Sequence, residues 1–164
     1  RVALMIDEDG FRLNVGIVIA NAEGKLLWGK RSGRMGGWQF PQGGVEEGTP
    51  LEENVIRELE EELGAPRDKF KILRKLQATN EYEFSSVPTY AKRKWRGQSQ
   101  TFWLVQFMGI DSDIDVLTQY PEFRSWRWCS INEVREFAEK KRLPGYEKAL
   151  SEVEPLLACN GKLS

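Results

Sequence analysis

Residues 43–65 read GGVEEGTPLEENVIRELEEELGA, a glycine-rich turn followed by a stretch dense in carboxylates. So many acids in one short segment repel one another unless a cation lies among them. The composition of this stretch therefore points to a divalent metal and to phosphate chemistry.

The second half of the stretch has the signals of a helix with defined ends. Thr49 is a good N-cap, Pro50 suits the first helical position, and Glu52 completes a T-x-x-E capping box. Gly64 is a natural stop. The sequence predicts a helix from residue 50 to residue 63.

The acidic side chains of this helix do not lie opposite its apolar face. At roughly 100° per residue, one stripe contains Leu51, Val55, Ile56, Leu59 and Leu63. Glu58 and Glu61 flank that stripe and Glu62 falls inside it, so the three carboxylates share one side. A carboxylate on a packed face must be paired or bound to a metal. The ordinary alternative, a solvated acidic surface helix, would place the acids on the opposite face.

The spacing of these residues resembles the Nudix box, whose pattern is G-x5-E-x7-R-E-U-x-E-E-x-G-U with U aliphatic. The match begins at Gly43 and ends with RELEEELGA at 57–65. It departs from the pattern twice, because Thr49 stands where the first Glu is expected and Ala65 is a small version of the last aliphatic residue.

The resemblance implies a role for each matching residue. Glu58, Glu61 and Glu62 would hold a divalent cation, Mg²⁺ or alternatively Mn²⁺, and the carbonyl of Gly43 would join the coordination. Arg57 would orient the glutamates and complete the catalytic set.

The departure at Thr49 removes one usual partner of Arg57. Glu53 and Glu61, four residues to either side of Arg57, are the expected replacements. We expect the loss to be tolerated, because Thr49 has its own role as the helix cap.

The chain contains no histidine, which narrows the chemistry. Ser-His-Asp and Cys-His mechanisms are excluded, so the general base is a carboxylate or a lysine. A divalent ion neutralises pyrophosphate charge and lowers the pKa of a bound water, and Mg²⁺ prefers oxygen ligands. The residues favour metal-assisted hydrolysis with a carboxylate as proton acceptor.

Length and composition favour one domain over residues 1–164, which we expect to be a monomer. The net charge of −1 gives no overall basic surface for long nucleic acid. Cys129 and Cys159 are the only cysteines, which favours a reducing cytoplasm over a disulfide framework. No apolar run approaches the roughly 20 residues of a membrane span, and no secretory signal is visible. We therefore expect a cytoplasmic protein.

Hydrophobic patterning predicts a mixed α/β protein. The predicted strands are 13–20, 25–30, 38–40, 70–77, 81–84, 101–108 and 125–129, and further helices are expected at 131–140 and 146–157. Strands flanked by helices on one core favour a layered sandwich. The Nudix resemblance implies the same α/β/α arrangement, a mixed β-sheet between helices.

Four segments outside the box resemble one branch of the Nudix family. They are GFRLNVG at 10–16, WQFPQGG at 38–44, GQSQ at 97–100, and PEF at 121–123 together with WRW at 126–128. They recur together in bacterial RNA 5′-pyrophosphohydrolases and in diadenosine tetraphosphate hydrolases.

The same resemblance implies site residues outside the box. Glu122 would be a fourth carboxylate, a metal ligand or general base, rather than an ordinary loop acid. Arg12, Arg31 and Lys30 would contact phosphate, and the alternative for each is a surface salt bridge. 

Uncharged and aromatic residues complete the predicted substrate site. Gln42 and Gln100 suit hydrogen bonds to a phosphate or a metal-bound water, or else they pack polar loops. Trp95 lies in the basic cluster KRKWR at 92–96, where cations and a ring suit a single-stranded RNA end; the alternative is a solvated loop. The RNA enzymes have a base-stacking aromatic in the region before Tyr146, where this chain has none, so Phe137 or Tyr146 is the expected replacement.

Three functions follow from these patterns. We favour an RNA 5′-pyrophosphohydrolase that leaves a 5′ monophosphate. The second is a dinucleoside polyphosphate hydrolase, which KWRGQ at 94–98 favours. The third is a non-catalytic Nudix-like module that binds a nucleotide, which loss of the box glutamates would indicate; all three are present.

Overall fold

The computed structural model describes residues 3–33, 36–83 and 95–157, which form a mixed sheet with three helices. The strands are β1 (Phe11–Ala20), β2 (Leu26–Arg31), β3 (Trp38–Gln39), β4 (Gln42–Gly44), β5 (Phe70–Glu83), β6 (Gly97–Phe107) and β7 (Phe123–Cys129). The helices are α1 (Leu51–Leu63), α2 (Ile131–Phe137) and α3 (Leu143–Leu157).

The main path of the sheet runs β3-β2-β1-β6-β5, with β4 paired to β1 and β7 paired to β2. β1 and β6 are parallel, in register from Phe11 opposite Gly97 to Ala20 opposite Gln106. The other strand pairs are antiparallel. The prediction of a mixed sheet in an α/β fold is confirmed.

Alternate residues of the central strand supply two separate cores. Ile17 belongs to the core that contains Val55 and Leu59 of α1. Its neighbour Val18 belongs to the core that contains Leu150 of α3. All five are fully buried, and each such side chain stabilises the fold by about 1.5–3 kcal/mol. The sheet is therefore packed on both faces, with α1 on one and α3 on the other.

The predicted element ends differ from the structure where local signals were weak. The short strand β4 was not predicted. The segments 70–77 and 81–84 were predicted as two strands, but β5 runs without a break to Glu83. Register shifts within β5 leave the backbone N–H groups of Gln77 and Ala78 to donate to Glu152 of α3, at 2.8 and 3.1 Å. A carboxylate far away in sequence thus keeps the strand continuous across its irregular part.

The start of α1 also differs from the prediction. The helix begins at Leu51, Pro50 occupies the N-cap, and no side chain caps the helix there. The prediction that Thr49 is the cap is therefore wrong. The carbonyls of Thr49 and Pro50 instead accept hydrogen bonds from Asn54, at 3.2 and 2.9 Å.

Several sequence features lie outside the described ranges. They are Phe84, residues 92–94 of the basic cluster, and Cys159. Cys129 is buried as a free thiol. Within the described ranges, no helix has the length and apolar character that crossing a membrane requires.

Candidate active site

Helix α1 brings two of its glutamates into the interior. Glu58 is 8% exposed and Glu62 is 6% exposed, whereas Glu61 faces solvent. The cause is helical periodicity, since Val55 and Leu59 anchor the same side of the helix against the sheet. Glu62 lies on the packed face, as its position in the apolar stripe predicts.

Strand β4 places Gly43 directly beside Glu58. Gly43 pairs with Val15 of the central strand, which fixes its position relative to α1. A Cβ built on residue 43 would overlap the carboxylate of Glu58. A larger residue at position 43 would force that carboxylate to move, which gives the first glycine of the motif a steric reason.

A cleft of about 270 Å³ collects most of the predicted catalytic residues. It is lined by Arg12, Asn14, Gln42, Gly43, Gly44, Glu58, Glu62, Gln98 and Glu122. Glu122 lies just before β7, and its carbonyl accepts a hydrogen bond from Ser32 N at 2.8 Å. The pairing of β7 with β2 therefore brings a residue some sixty positions from α1 to the same cleft. Glu61 is not part of this lining.

The two buried carboxyl groups, Glu58 and Glu62, are hydrogen-bonded to each other, and both have raised pKa values. Burial raises the pKa of Glu62 to about 10, and the charges of Glu58 and Glu122 add to the rise. Burial also raises the pKa of Glu58 to about 7, although Arg57 and a hydrogen bond from Glu62 oppose that rise. Near neutral pH, Glu62 therefore keeps its proton and donates it to Glu58.

The donor set of the cleft fits a hard divalent cation. The Oε2 atom of Glu62 is buried and has no hydrogen-bond partner among the described residues, which is costly for a polar atom. Carboxylate and carbonyl oxygens are the ligands that Mg²⁺ prefers. As the side chains stand, no three acidic, cysteine or histidine side chains of the described ranges are close enough to share one ion. The guanidinium of Arg57 lies 3.4 Å from the Glu58 carboxylate, so it would compete with a cation for that carboxylate.

Arg57 is held by partners that the sequence did not indicate. Its guanidinium is hydrogen-bonded to the carboxylate of Glu46. It also donates to the carbonyl of Gly44 at 3.0 Å and to Oδ1 of Asn54 at 2.9 Å. The arginine therefore connects α1 to the loop that follows β4.

The predicted replacement partners of Arg57 are wrong. Glu53 pairs with Arg67 at 3.1 Å, on the exposed side of the helix. Glu61 is not among the Arg57 partners that the described residues provide. The signal that could have found Glu46 is its place three residues after Gly43, within reach of the helix start.

The two predicted amides lie together at the boundary of a second cavity. Gln100 donates through Nε2 to Gln42 Oε1 at 3.0 Å and also to Asn14 Oδ1. The second cavity has a volume of about 390 Å³ and is lined by Gln42, Asn80, Tyr82, Gln98, Gln100, Lys141, Arg142 and Tyr146. Gln42 and Gln98 line both cavities, so the two adjoin.

Five polar residues of this second cavity were not predicted as site residues: Asn80, Tyr82, Gln98, Lys141 and Arg142. Asn80 faces Gln100 and Tyr82 faces Gln98 across the β5–β6 pair. Polar residues alternating at 80, 82, 98 and 100 were the available signal. It was missed because the strand containing Asn80 was predicted to end before it.

The predicted basic residues divide into two groups. Arg12 lines the cleft, and its guanidinium stacks on the ring of Trp95 at 5.6 Å. Lys30 lies over the ring of Trp38 at 5.9 Å, and Arg31 is paired within the sheet. Neither Lys30 nor Arg31 is in the lining of the two cavities.

The expected replacements for a base-stacking aromatic do not present free rings. Tyr146 is 3% exposed and packs against Phe40 with ring centroids 4.8 Å apart. Phe137 is half exposed, but Arg127 covers it at 5.4 Å and it lines neither cavity. Burial in the core therefore rules out Tyr146 as a stacking platform.

Comparison with known proteins gives a consistent result. The model of the NUDIX domain matches residues 10–152. An RNA pyrophosphohydrolase from Shewanella denitrificans is 39% identical over 155 residues, which cover 92% of this chain and 89% of that protein.

Solved structures show the same fold at lower identity. An Ap4A hydrolase from C. elegans, in a binary complex, has a TM-score of 0.64 at 19% identity, covering 88% of this chain and 98% of its own. A dihydroneopterin triphosphate pyrophosphohydrolase from E. coli has a TM-score of 0.63 at 15% identity, covering 87% and 98%. At these identities the likeness concerns the fold alone.

Proposed function

Because the chain belongs to the Nudix family, we propose that it removes pyrophosphate from the 5′-triphosphate end of RNA and leaves a 5′ monophosphate. The observation behind this choice is the 39% identity to an RNA pyrophosphohydrolase over nearly the whole chain. The cleft supports it, because buried acids and Arg12 lie together with Glu122.

Nudix hydrolases generally use a divalent metal, and we propose Mg²⁺ here, with Mn²⁺ as a substitute. Glu58, Glu61, Glu62, Glu122 and the carbonyl of Gly43 are the proposed ligands. When bound, the ion neutralises phosphate charge and lowers the pKa of a coordinated water. The raised pKa values of Glu58 and Glu62 mean that binding releases a proton from the pair.

The residues of the chain supply binding and proton transfer. A carboxylate of the cleft accepts the proton of the attacking water, because the chain has no histidine. Arg12 provides a fixed positive charge at the cleft and can bind a phosphate through two N–H groups. Arg57 acts indirectly, since its guanidinium lies 3.4 Å from Glu58 and positions that carboxylate.

The second cavity is the proposed place of the nucleotide beyond the phosphates. Its volume of about 390 Å³ and its lining of amides, Tyr82 and the cations Lys141 and Arg142 suit a base and its phosphate. Because Gln42 and Gln98 belong to both cavities, a 5′ end seated in the first leads directly into the second.

Dinucleoside polyphosphate hydrolysis is the second candidate. The burial of Tyr146 favours it, because neither expected replacement, Tyr146 or Phe137, presents a free ring on which the base of an RNA end would stack. A dinucleotide places a nucleoside on both sides of its phosphates. Trp95 lies against Arg12, Tyr82 donates to Gln98, and Arg12 and Gln98 are opposite each other in the β1–β6 pair, so two rings flank this part of the site.

A side-by-side turnover assay with Mg²⁺ separates the candidates. One substrate is a short RNA with a 5′ triphosphate, and the other is diadenosine tetraphosphate. We expect a higher kcat/KM for the RNA, with pyrophosphate and 5′-monophosphorylated RNA as products. Preference for the dinucleotide would select the second candidate, and turnover of neither would indicate a binding module.

A further inference from the structure

The buried side chain of Asn54 on α1 has no role in the chemistry proposed above. Its Oδ1 accepts hydrogen bonds from Glu46 N and from Arg57 Nη2, both at 2.9 Å. Its Nδ2 donates to the carbonyls of Pro50 and Thr49, at 2.9 and 3.2 Å. Both donor hydrogens and both acceptor lone pairs of the amide are therefore used.

We propose that Asn54, together with Glu46, replaces the carboxylate that is absent at position 49 and positions Arg57 for catalysis. Through Arg57, these residues would fix the carboxylate of Glu58 in the cleft. The proposal adds a positioning residue to the proposed active site and therefore rests on the proposed function.

The first argument is the geometry around Arg57. The guanidinium has oxygen partners on Asn54, Glu46 and Gly44, and Glu58 lies slightly farther away at 3.4 Å. A planar guanidinium offers its N–H groups in a fixed fork. Three oxygen partners on two different segments therefore fix the orientation of the guanidinium. The Glu58 carboxylate then contacts a group whose position the other partners set.

The second argument is the loop that precedes the helix. Thr49 N donates to the carbonyl of Glu46 at 3.2 Å, which closes a turn over residues 46–49. Asn54 binds both ends of that turn, through Glu46 N and the carbonyl of Thr49. The Asn54 amide therefore fixes the loop that carries Glu46. It also contacts Arg57, which the Glu46 carboxylate binds.

If the role of Asn54 is purely structural, only its backbone contacts matter. Two substitutions therefore compare loss of backbone contacts with loss of the contact to Arg57. Asn54→Asp keeps an oxygen for Glu46 N and Arg57 but loses both donations. Asn54→Ser keeps a donor for the carbonyl of Pro50 four residues earlier but is too short to reach Arg57. Both variants weaken the junction, but only the serine variant removes the contacts of Asn54 with Arg57 and Glu46 N, which leaves the guanidinium with its hydrogen bonds to Glu46 and Gly44.

We expect Asn54→Ser to lower kcat about tenfold or more, with KM within about twofold, as is usual for groups that orient metal ligands. Asn54→Asp is expected to keep kcat within about threefold despite a lower Tm. Asn21→Ala is the matched control, because Asn21 holds a turn between β1 and β2 through bonds from Glu23 N and Lys25 N. Equal losses of kcat in the serine and aspartate variants, in step with Tm, would overturn the proposal.

A double-mutant cycle tests whether the effect passes through Arg57. In an Arg57→Ala background, Asn54→Ser should cost no further kcat, because the residue it positions is gone. A loss that adds to that of Arg57→Ala would mean that Asn54 acts independently and would refute the proposal.

A substrate-free measurement keeps this test independent of the RNA assignment. Mn²⁺ binding to the free protein, followed by electron paramagnetic resonance, should weaken about tenfold in Asn54→Ser and remain near wild type in Asn54→Asp. If the enzyme does not hydrolyse RNA but shows this difference in Mn²⁺ affinity, the proposed substrate is wrong and the proposed role of Asn54 stands. Equal Mn²⁺ affinity in the serine variant and the wild type would count against that role.

Discussion

Glu58 of α1 fills the space that a side chain on Gly43 would occupy. A Cβ on residue 43 would overlap Cδ and both oxygens of the Glu58 carboxylate. Strand β4, which holds Gly43, and helix α1, which holds Glu58, are consecutive elements, and both residues line the cleft. This steric relationship can be tested directly.

Gly43→Ala is expected to reduce kcat at least about tenfold, because the added methyl displaces the Glu58 carboxylate. Overpacking of this kind also costs about 1–3 kcal/mol of stability. Gly24→Ala is the control: its φ of +76° makes alanine strained, by about 1–2 kcal/mol, in a turn away from the cleft. Kinetics and Tm of both variants separate the effects, and normal turnover in Gly43→Ala would contradict the proposed position of Glu58.

Glu61→Gln is expected to lower turnover about a hundredfold or more while the fold survives. Glu61 is exposed, so the loss of its charge leaves the core intact. Glu60→Gln is the matched control one residue earlier, where the side chain pairs with Arg67 at 2.9 Å on the surface. Steady-state rates and circular dichroism of the two variants decide the matter; similar rates for both would remove Glu61 from the catalytic set.

Glu62→Gln is expected to stabilise the metal-free protein increasingly as pH rises. Burial raises the folded pKa of Glu62 from its ordinary 4.5 to about 10, so between these values the folded state holds a proton that the unfolded state has released. The contribution of Glu62 to the free energy of unfolding is therefore complete below about pH 4.5 and falls as pH rises toward 10. Glutamine has no such proton and removes this slope.

Thermal unfolding in EDTA across this pH range measures the effect, as the difference in Tm between the wild type and Glu62→Gln. Glu133→Gln serves as a control of opposite sign. A hydrogen bond from Ser130 N lowers the pKa of Glu133 in the folded state. The contribution of Glu133 to the free energy of unfolding is therefore present above its ordinary pKa and is lost as pH falls through its folded-state pKa. A Tm difference for Glu62→Gln that does not change with pH would contradict the buried, protonated carboxyl.

Arg12→Ala is expected to raise KM for a 5′-triphosphorylated RNA about tenfold or more, as loss of a hydrogen bond to a charged phosphate does. The Nε atom of Arg12 is buried without a hydrogen-bond partner among the described residues, so the residue has unused donor capacity. Arg67→Ala, which removes a surface ion pair with Glu53, should leave KM unchanged. An unaltered KM in Arg12→Ala would place phosphate binding elsewhere.

The parts of the site that the sequence predicted are those encoded by local periodicity. The apolar stripe of α1 placed Glu62 on the packed face, and its burial follows from residues within one helix. The family pattern brought in Glu122, and the structure places that residue in the cleft. A spacing of 3.6 residues per turn needs no knowledge of distant segments.

The parts that the sequence did not predict depend on long-range pairing. Strand β4 forms because residues 42–44 pair with β1. The local sequence does not predict a strand there, because two of its three residues are glycines. The partners of Arg57 lie across the helix–loop junction. Thr49 has the residue type of a cap, but the helix has no side-chain cap and the Thr49 carbonyl accepts from Asn54 instead. Tertiary contacts overrode a local capping preference that is worth only about 1 kcal/mol.

The two cores on opposite faces of the sheet have a consequence for how this enzyme can diverge. Helix α1 is anchored in one core, and α3, which follows Lys141 and Arg142, is anchored in the other. Substitutions in the segment that enters α3 can reshape the second cavity without disturbing the packing beneath Glu58 and Glu62. Selection can therefore change what such an enzyme accepts while the hydrolytic machinery is inherited intact.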